Sequence, residues 1–203
     1  MPDVGVEASE NRMRASDDAT GERALMRRVA AGDAEAFRAL VTRHTPMVHA
    51  IAWRMLGDAA EAEDVVQETF AKLWVHAASW APSGGGLGGW LRRISTNACL
   101  DRLRRPRFVS DEGLRERADE APSADLAIDR ARRGAAVAAA IQALPDRQRA
   151  AIVLTYYEGV SNAETASILG IGVKAAESLL VRARQSLAQS LAAKGLLAEG
   201  GCE

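Results

Sequence analysis

A chain of 203 residues, 48% hydrophobic, with 26 Lys+Arg against 27 Asp+Glu for a formal net charge of −1, has the length for one large or two small domains and the balance of a globular protein. Aromatics are only 4% and β-branched runs are sparse, which argues against an extensive sheet, and no apolar run is long enough to span a bilayer, which argues against direct membrane insertion. Cys99 and Cys202 are far apart, which suits a reducing, cytoplasmic setting better than a disulfide framework.

Residues 1–21 carry few large apolar groups and no signal-peptide core, and read as a disordered N-terminal tail. Residues 22–105 read as a first helical domain. Leu25, Val29, Phe37, Leu40, Val41, Val48, Ile51, Trp53 and Leu56 recur at spacings of three and four, the stripe of helices packing on one another. Gly32-Asp33 and Gly57-Asp58 each pair a stop signal with an N-cap for the next helix. The next helix, "AEAEDVVQETFAKLWVHAASW", is expected to bury Val65 or Val66, Phe70, Leu73 and Trp74. Its outward side carries Asp64, Gln67 and Glu68, with Glu61 one turn earlier. A solvated acidic face and a docking surface for a basic partner both fit that pattern.

"APSGGGLGG" then breaks the periodicity, and "WLRRISTNACLDRLRR" resumes it up to Pro106. Trp90, Leu91, Ile94 and Ala98 can pack inward. Arg92, Arg93, Arg102, Arg104 and Arg105 supply cations, and Ser95, Thr96 and Asn97 supply hydroxyls and an amide. Single-stranded nucleic acid is bound by such mixtures, although an arginine-decorated surface helix fits as well. Residues 106–133 are polar, mostly acidic and poor in large apolar groups, and read as a flexible linker.

Residues 134–191 read as a second helical domain, followed by a C-terminal tail at 192–203. Pro145 is expected in the first turn of a helix. Ser161-x-x-Glu164 is a capping box, Gly170 can take a positive φ, and Ile171 and Val173 are expected to anchor the turn. Ala176, Leu179, Leu180, Ala183 and Leu187 share one side of the last helix. Lys174, Glu177, Ser178, Val181, Arg182 and Gln185 share the other, with Arg184 at its margin. This outlines a helix-turn-helix that reads a major groove, or else an ordinary helical hairpin with a polar face. The fold class is therefore all-α: two small helical domains joined by a flexible acidic linker, the second containing a helix-turn-helix.

No enzyme pattern stands out. "SGGGLGG" does not continue as a phosphate-binding GK[ST] element, His44, His49 and His76 lack metal-ligand spacing, and no nucleophile–base pairing is visible. The expectation is a non-enzymatic protein with no cofactor and no metal.

The order "GDAEAFRALVTRH", "AEDVVQETFAKLW", "WLRRISTNACLDRLRR", "ALPDRQRAAIVLTYYEGVSNAETASILGIGVKAAESLLVRARQSL" closely resembles the extracytoplasmic-function (ECF) group of bacterial sigma factors, over about Glu22 to Leu191. The resemblance implies an alternative sigma factor that binds core RNA polymerase, directs it to promoter DNA, and is held inactive by an anti-sigma factor. Asp64 to Glu68 matches the segment docking on the coiled-coil clamp of the large polymerase subunit, with Gln67 inside it and Glu61 beside it. Arg92, Arg93, Ser95, Thr96, Asn97, Asp101, Arg102, Arg104 and Arg105 fall in the part that reads and melts the −10 element, Asn97 at the position that meets a flipped-out base. Lys174, Glu177, Ser178, Arg182 and Arg184 fall in the −35 reader, and the linker matches a tether threaded towards the polymerase active site. The resemblance also accounts for the charge: a chain that relies on polymerase for most phosphate contacts needs no cationic surplus. The alternative, a stand-alone helix-turn-helix regulator, would grip duplex DNA without polymerase.

Overall fold

Two Gly-Asp pairs set the first helix boundaries. The structure is a computed structural model that describes residues 21–81, 85–105 and 124–196, with side chains from residue 132 onward in the last stretch. Helix α1 covers residues 21–30, and α2 runs Ala34–Leu56. Asp33 caps α2 by accepting from the amides of Glu35 and Ala36, which satisfies donors that the first turn leaves without partners. Gly57 ends α2 with φ 69°, a left-handed conformation that suits glycine, and Asp58 caps α3 (Ala59–His76) by accepting from the Glu61 amide. A 3-10 turn, Ala77–Ser79, follows.

Helix α4 spans Gly86–Arg104 and so begins four residues before Trp90, inside the glycine-rich stretch. Gly85 precedes it at φ 85°, and a Cβ there would lie 3.1 Å from the Gly89 Cα. Glycines thus allow the tight entry that carries Leu87 into the core.

Helix α5 runs Ala124–Gln142, so the second part of the stretch expected to be flexible linker is helical. Its alanine-rich sequence favours helix strongly. Pro145 sits at the N-cap of α6 (Asp146–Ile152), one position ahead of the first turn. Val153–Tyr157 continues as a π-helical turn. Helix α7 (Asn162–Leu169) carries both halves of the Ser161–Glu164 capping box and ends at Gly170 with φ 62°. Helix α8 covers Val173–Ala193. Among the described residues there is no strand, and no helix is long and apolar enough to cross a membrane. Of the expected tails at 1–21 and 192–203 and the expected linker at 106–133, residues 1–20, 197–203 and 106–123 lie outside the described residues, while α8 continues two residues into the expected C-terminal tail.

The buried stripe of α2 is Leu40, His44, Val48, Ile51, Ala52, Met55 and Leu56. Trp53 lies off that stripe and is 47% exposed, against expectation. Trp74, one residue past buried Leu73, is likewise exposed and meets Phe37 edge-on at 5.0 Å. Val65 is the fully buried member of the Val65–Val66 pair, and Val173 is exposed instead of anchoring the turn. His44 is buried beside Glu22, 2.9 Å away, which pins α1 to α2.

The two helical halves also pack on each other. Ile51, Met55, Leu56, Ala98, Cys99 and Leu100 of the first share one apolar core with Leu144, Ala150, Ile152, Leu154, Leu169 and Leu180 of the second. Polar contacts line this seam. Gln142 Nε2 donates to the Arg54 carbonyl at 2.8 Å, Arg149 donates to the Met55 carbonyl, and the Arg54 guanidinium lies 4.4 Å from the centre of the Tyr157 ring.

Candidate nucleic-acid interface

Helix α4 presents an outward stripe at helical spacing: Arg93, Asn97, Asp101 and Arg104, all exposed, followed by exposed Arg105. Asp101 and Arg104 pair across 3.5 Å. The stripe combines an amide able to donate and accept with guanidinium groups suited to phosphate.

Other residues expected on this face are elsewhere. Ser95 and Thr96 are fully buried and cannot meet DNA in this arrangement. The Ser95 hydroxyl donates to the Leu91 carbonyl at 2.8 Å, which lets a small polar residue occupy an inward position. Arg92 turns towards the second half, its Nε 3.5 Å from Glu158 in an ion pair that lacks hydrogen-bond geometry. Arg102 is only 17% exposed and faces α3, where it bonds Glu61 and Glu68.

On α3, Asp64 and Gln67 are exposed and point outward, as expected. Glu61 and Glu68 occupy the flank shared with Arg102. Glu68 also accepts from Lys72 at 2.7 Å, and Lys72, then Arg102, hold its carboxyl below the ordinary carboxylate range. Beneath this cluster, burial pushes the Cys99 thiol up to about 12, so it stays protonated.

On α8, Lys174, Glu177, Ser178, Val181, Arg182 and Gln185 line one open depression along the outer face. Arg184 is exposed outside it. The Ser178 hydroxyl donates to the Lys174 carbonyl at 2.9 Å, leaving its oxygen to accept from a base or water. Ala176, Leu180 and Ala183 face inward, so α7 and the core fix which side of α8 is presented. The depression therefore offers cations, acceptors and one apolar side chain, the mixture that distinguishes base edges in a major groove.

The residues that sequence reasoning missed are those of the seam: Gln142, Arg149, Glu158 and Tyr157. Arg149 and Gln142 bond backbone carbonyls of α2, and a backbone acceptor leaves no mark in the residue pattern. Among the described residues no group of His, Cys, Asp or Glu could hold a metal ion.

Comparisons with known proteins identify the family. The Sigma-70 region 2 family matches residues 40–108, and the Sigma-70 region 4 family matches residues 134–187. The chain is 36% identical over 179 residues to the ECF RNA polymerase sigma factor SigE of Mycolicibacterium smegmatis, covering 86% of this chain and 66% of that protein. It is 35% identical to SigM of Mycobacterium tuberculosis, covering 79% and 80%, and 30% identical to SigW of Bacillus subtilis, covering 82% and 94%. Among solved structures, CnrH in complex with the cytosolic domain of CnrY is similar at 32% identity and TM-score 0.61, over 85% of this chain and 97% of that one. The sigma factor RpoE bound to the anti-sigma factor NepR from Bartonella quintana is similar at 26% identity and TM-score 0.61, over 77% and 96%.

Proposed function

The chain belongs to the ECF group of RNA polymerase sigma factors, and on that premise we propose that it binds core RNA polymerase in the cytoplasm, directs it to specific promoters, and is held inactive by an anti-sigma factor until needed. It contributes recognition and melting, while the polymerase performs the chemistry. Asp64 and Gln67 dock on a basic polymerase surface, flanked by Glu61 and Glu68. Asn97 receives an unstacked base of the −10 element, with Arg93, Arg104 and Arg105 on the neighbouring phosphates. Lys174, Glu177, Ser178 and Arg182 read the −35 element in the major groove, joined by Val181 and Gln185, and Arg184 reaches a phosphate. The inhibitor reading is supported by the RpoE neighbour, which was solved with an anti-sigma factor.

The observation carrying this reading is the pair of reading faces of different chemistry. One is an amide set among arginines on α4, suited to unpaired bases, and the other a mixed polar depression on α8, suited to duplex. Run-off transcription from a genomic promoter pool, with and without core polymerase, tests it. The expected result is promoter-specific transcripts with core and weak duplex binding by the chain alone. Tight, specific duplex binding without core would instead establish a stand-alone regulator.

A further inference from the structure

Arg102 lies in the helix assigned to the −10 element, yet its guanidinium points away from the exposed stripe. Its Nε is 3.0 Å from Glu61 Oε2, its Nη1 2.8 Å from Glu68 Oε2, and the same Nη1 is 3.4 Å from the Ala98 carbonyl. Glu61 and Glu68 are seven positions apart, two turns of α3, so one planar fork grips the docking helix at two levels. Ala62, Val65, Ala98 and Cys99 are buried in the same region of the α3–α4 contact. The buried residues of α4 set which of its sides turns inward, and a single polar contact would add little against roll or slide. Two charge-assisted contacts a fixed distance apart restrict both motions.

We propose that Arg102 is a positioning residue that couples polymerase docking to promoter opening, and does not itself contact DNA. The inference rests on the assignment of α3 to docking and α4 to the −10 element made above. Glu61 and Glu68 have side chains 47% and 37% exposed, so they keep accessible oxygen surface while holding Arg102. A carboxylate has about four lone-pair sites, enough for Arg102 on the inner side and a polymerase cation on the outer side. The same two groups therefore face the polymerase and fix the roll of α4, on which Asn97 is carried. Docking sets where Asn97 points. Glu61, Glu68, Lys72 and Arg102 also neutralise one another (two negative, two positive charges), so Arg102 is not a spare cation awaiting a phosphate.

The test uses holoenzyme assembled with saturating core polymerase and a promoter whose −10 element carries a fluorescent base analogue. Stopped-flow traces separate the amplitude, which reports the competent fraction, from the rate constant of opening. A merely destabilised helix lowers the amplitude and leaves the rate constant unchanged. For Arg102→Ala the opening rate constant is expected to fall about 2- to 30-fold, the range for substitutions in a coupled network, with the salt dependence of promoter binding unchanged. Arg102→Lys, which reaches one carboxylate but lacks the fork, is expected to recover part of the loss. Glu61→Gln with Glu68→Gln is expected to slow opening as Arg102→Ala does, with assembly measured separately. A phosphate contact predicts otherwise: Arg102→Ala would reduce the salt slope by about one, and freeing Arg102 with the double glutamine variant would tighten promoter binding. Either result, or an unchanged opening rate in Arg102→Ala, overturns the proposal. Should Arg102→Ala fail to fold by circular dichroism, the Lys and Gln variants decide the matter by the same readouts. Absence of promoter-specific transcription by the wild-type holoenzyme would instead refute the underlying assignment.

Discussion

Arg149 on α6 donates a hydrogen bond to the carbonyl of Met55, 94 positions earlier in the chain. Its guanidinium also bonds the Gln142 Oε1 at 3.0 Å, the Leu144 carbonyl at 3.1 Å, and the Gln142 carbonyl. The carbonyls of Met55 and Gln142 belong to the last turns of α2 and α5, where helices lack internal donors. One buried cation therefore caps two helix ends and joins the two halves, an arrangement the helix dipoles also favour.

Replacing Arg149 with alanine strands these acceptors away from water. An unsatisfied buried group costs about 1–3 kcal/mol, so Arg149→Ala is expected to lower stability by at least that amount and to loosen the seam. Gln142→Ala, which removes the bond to the Arg54 carbonyl and one of the acceptors of Arg149 but leaves the backbone carbonyls bonded to Arg149, should cost less. Urea unfolding gives the stability and small-angle scattering the compactness. Wild-type values of both for Arg149→Ala would show that the apolar seam holds without its polar lining.

Asn97→Ala should slow promoter melting and relax preference at one position of the −10 element while leaving the fold intact, because the side chain is exposed. Opening assays on a −10 library, with a thermal melt as control, read both effects. Unchanged melting and unchanged preference would remove Asn97 from the base-contact role.

On α8, loss of a base-contacting arginine costs about 1–3 kcal/mol and relaxes specificity locally, whereas loss of a phosphate contact weakens all sequences alike. Arg182→Ala is expected to behave in the first way and Arg184→Ala in the second, since Arg182 lines the depression and Arg184 lies outside it. A −35 library scanned with both variants distinguishes them. Indifference of the library to Arg182→Ala would mean that another face of the second half meets DNA.

Asp64→Lys should weaken holoenzyme assembly, because a like charge then faces a basic polymerase surface. The substitution makes the chain more cationic by two units, so residual binding of duplex DNA by the chain alone should rise slightly. Assembly is measured by co-elution with core polymerase, and retention at the wild-type level would exclude Asp64 from the interface.

Glu68 carries a pH signature. Its carboxyl sits below its ordinary value of 4.5 because Lys72 and Arg102 bond its charged form. A carboxyl lowered on folding stabilises the protein above the unfolded value, and this contribution is lost as pH falls through the folded value. Wild type should therefore lose thermal stability more steeply than Glu68→Gln as pH drops below 4.5. Parallel curves for the two proteins would show that the pairs with Lys72 and Arg102 add nothing to folding.

The features legible in the sequence are local ones. Asp33, Asp58 and the Ser161–Glu164 box cap their helices as their spacing dictates, because a cap acts within one turn. The outward face of α8 was equally readable, its polar and apolar residues alternating at helical period. Helix α4 was less so, because residue type misleads there. Ser95 and Thr96 look like surface residues but take core positions between Leu91 and Ala98. The role of Arg102 depends on carboxylates 34 and 41 positions away, and the exposure of Trp53 on which side of α2 the seam occupies. Partners set by tertiary packing leave no local pattern.

The shared core has a consequence for reach. The −10 and −35 elements are separated by about 25 base pairs, or about 85 Å of duplex at 3.4 Å per step. A compact body of about 155 residues has a radius of gyration of about 15 Å, and here α4 packs directly on α7. No rigid placement of such a body can set Asn97 on one element and Arg182 on the other. With Met55 and Arg149 in contact the chain can read one half of a promoter at a time, and spanning both requires the halves to part.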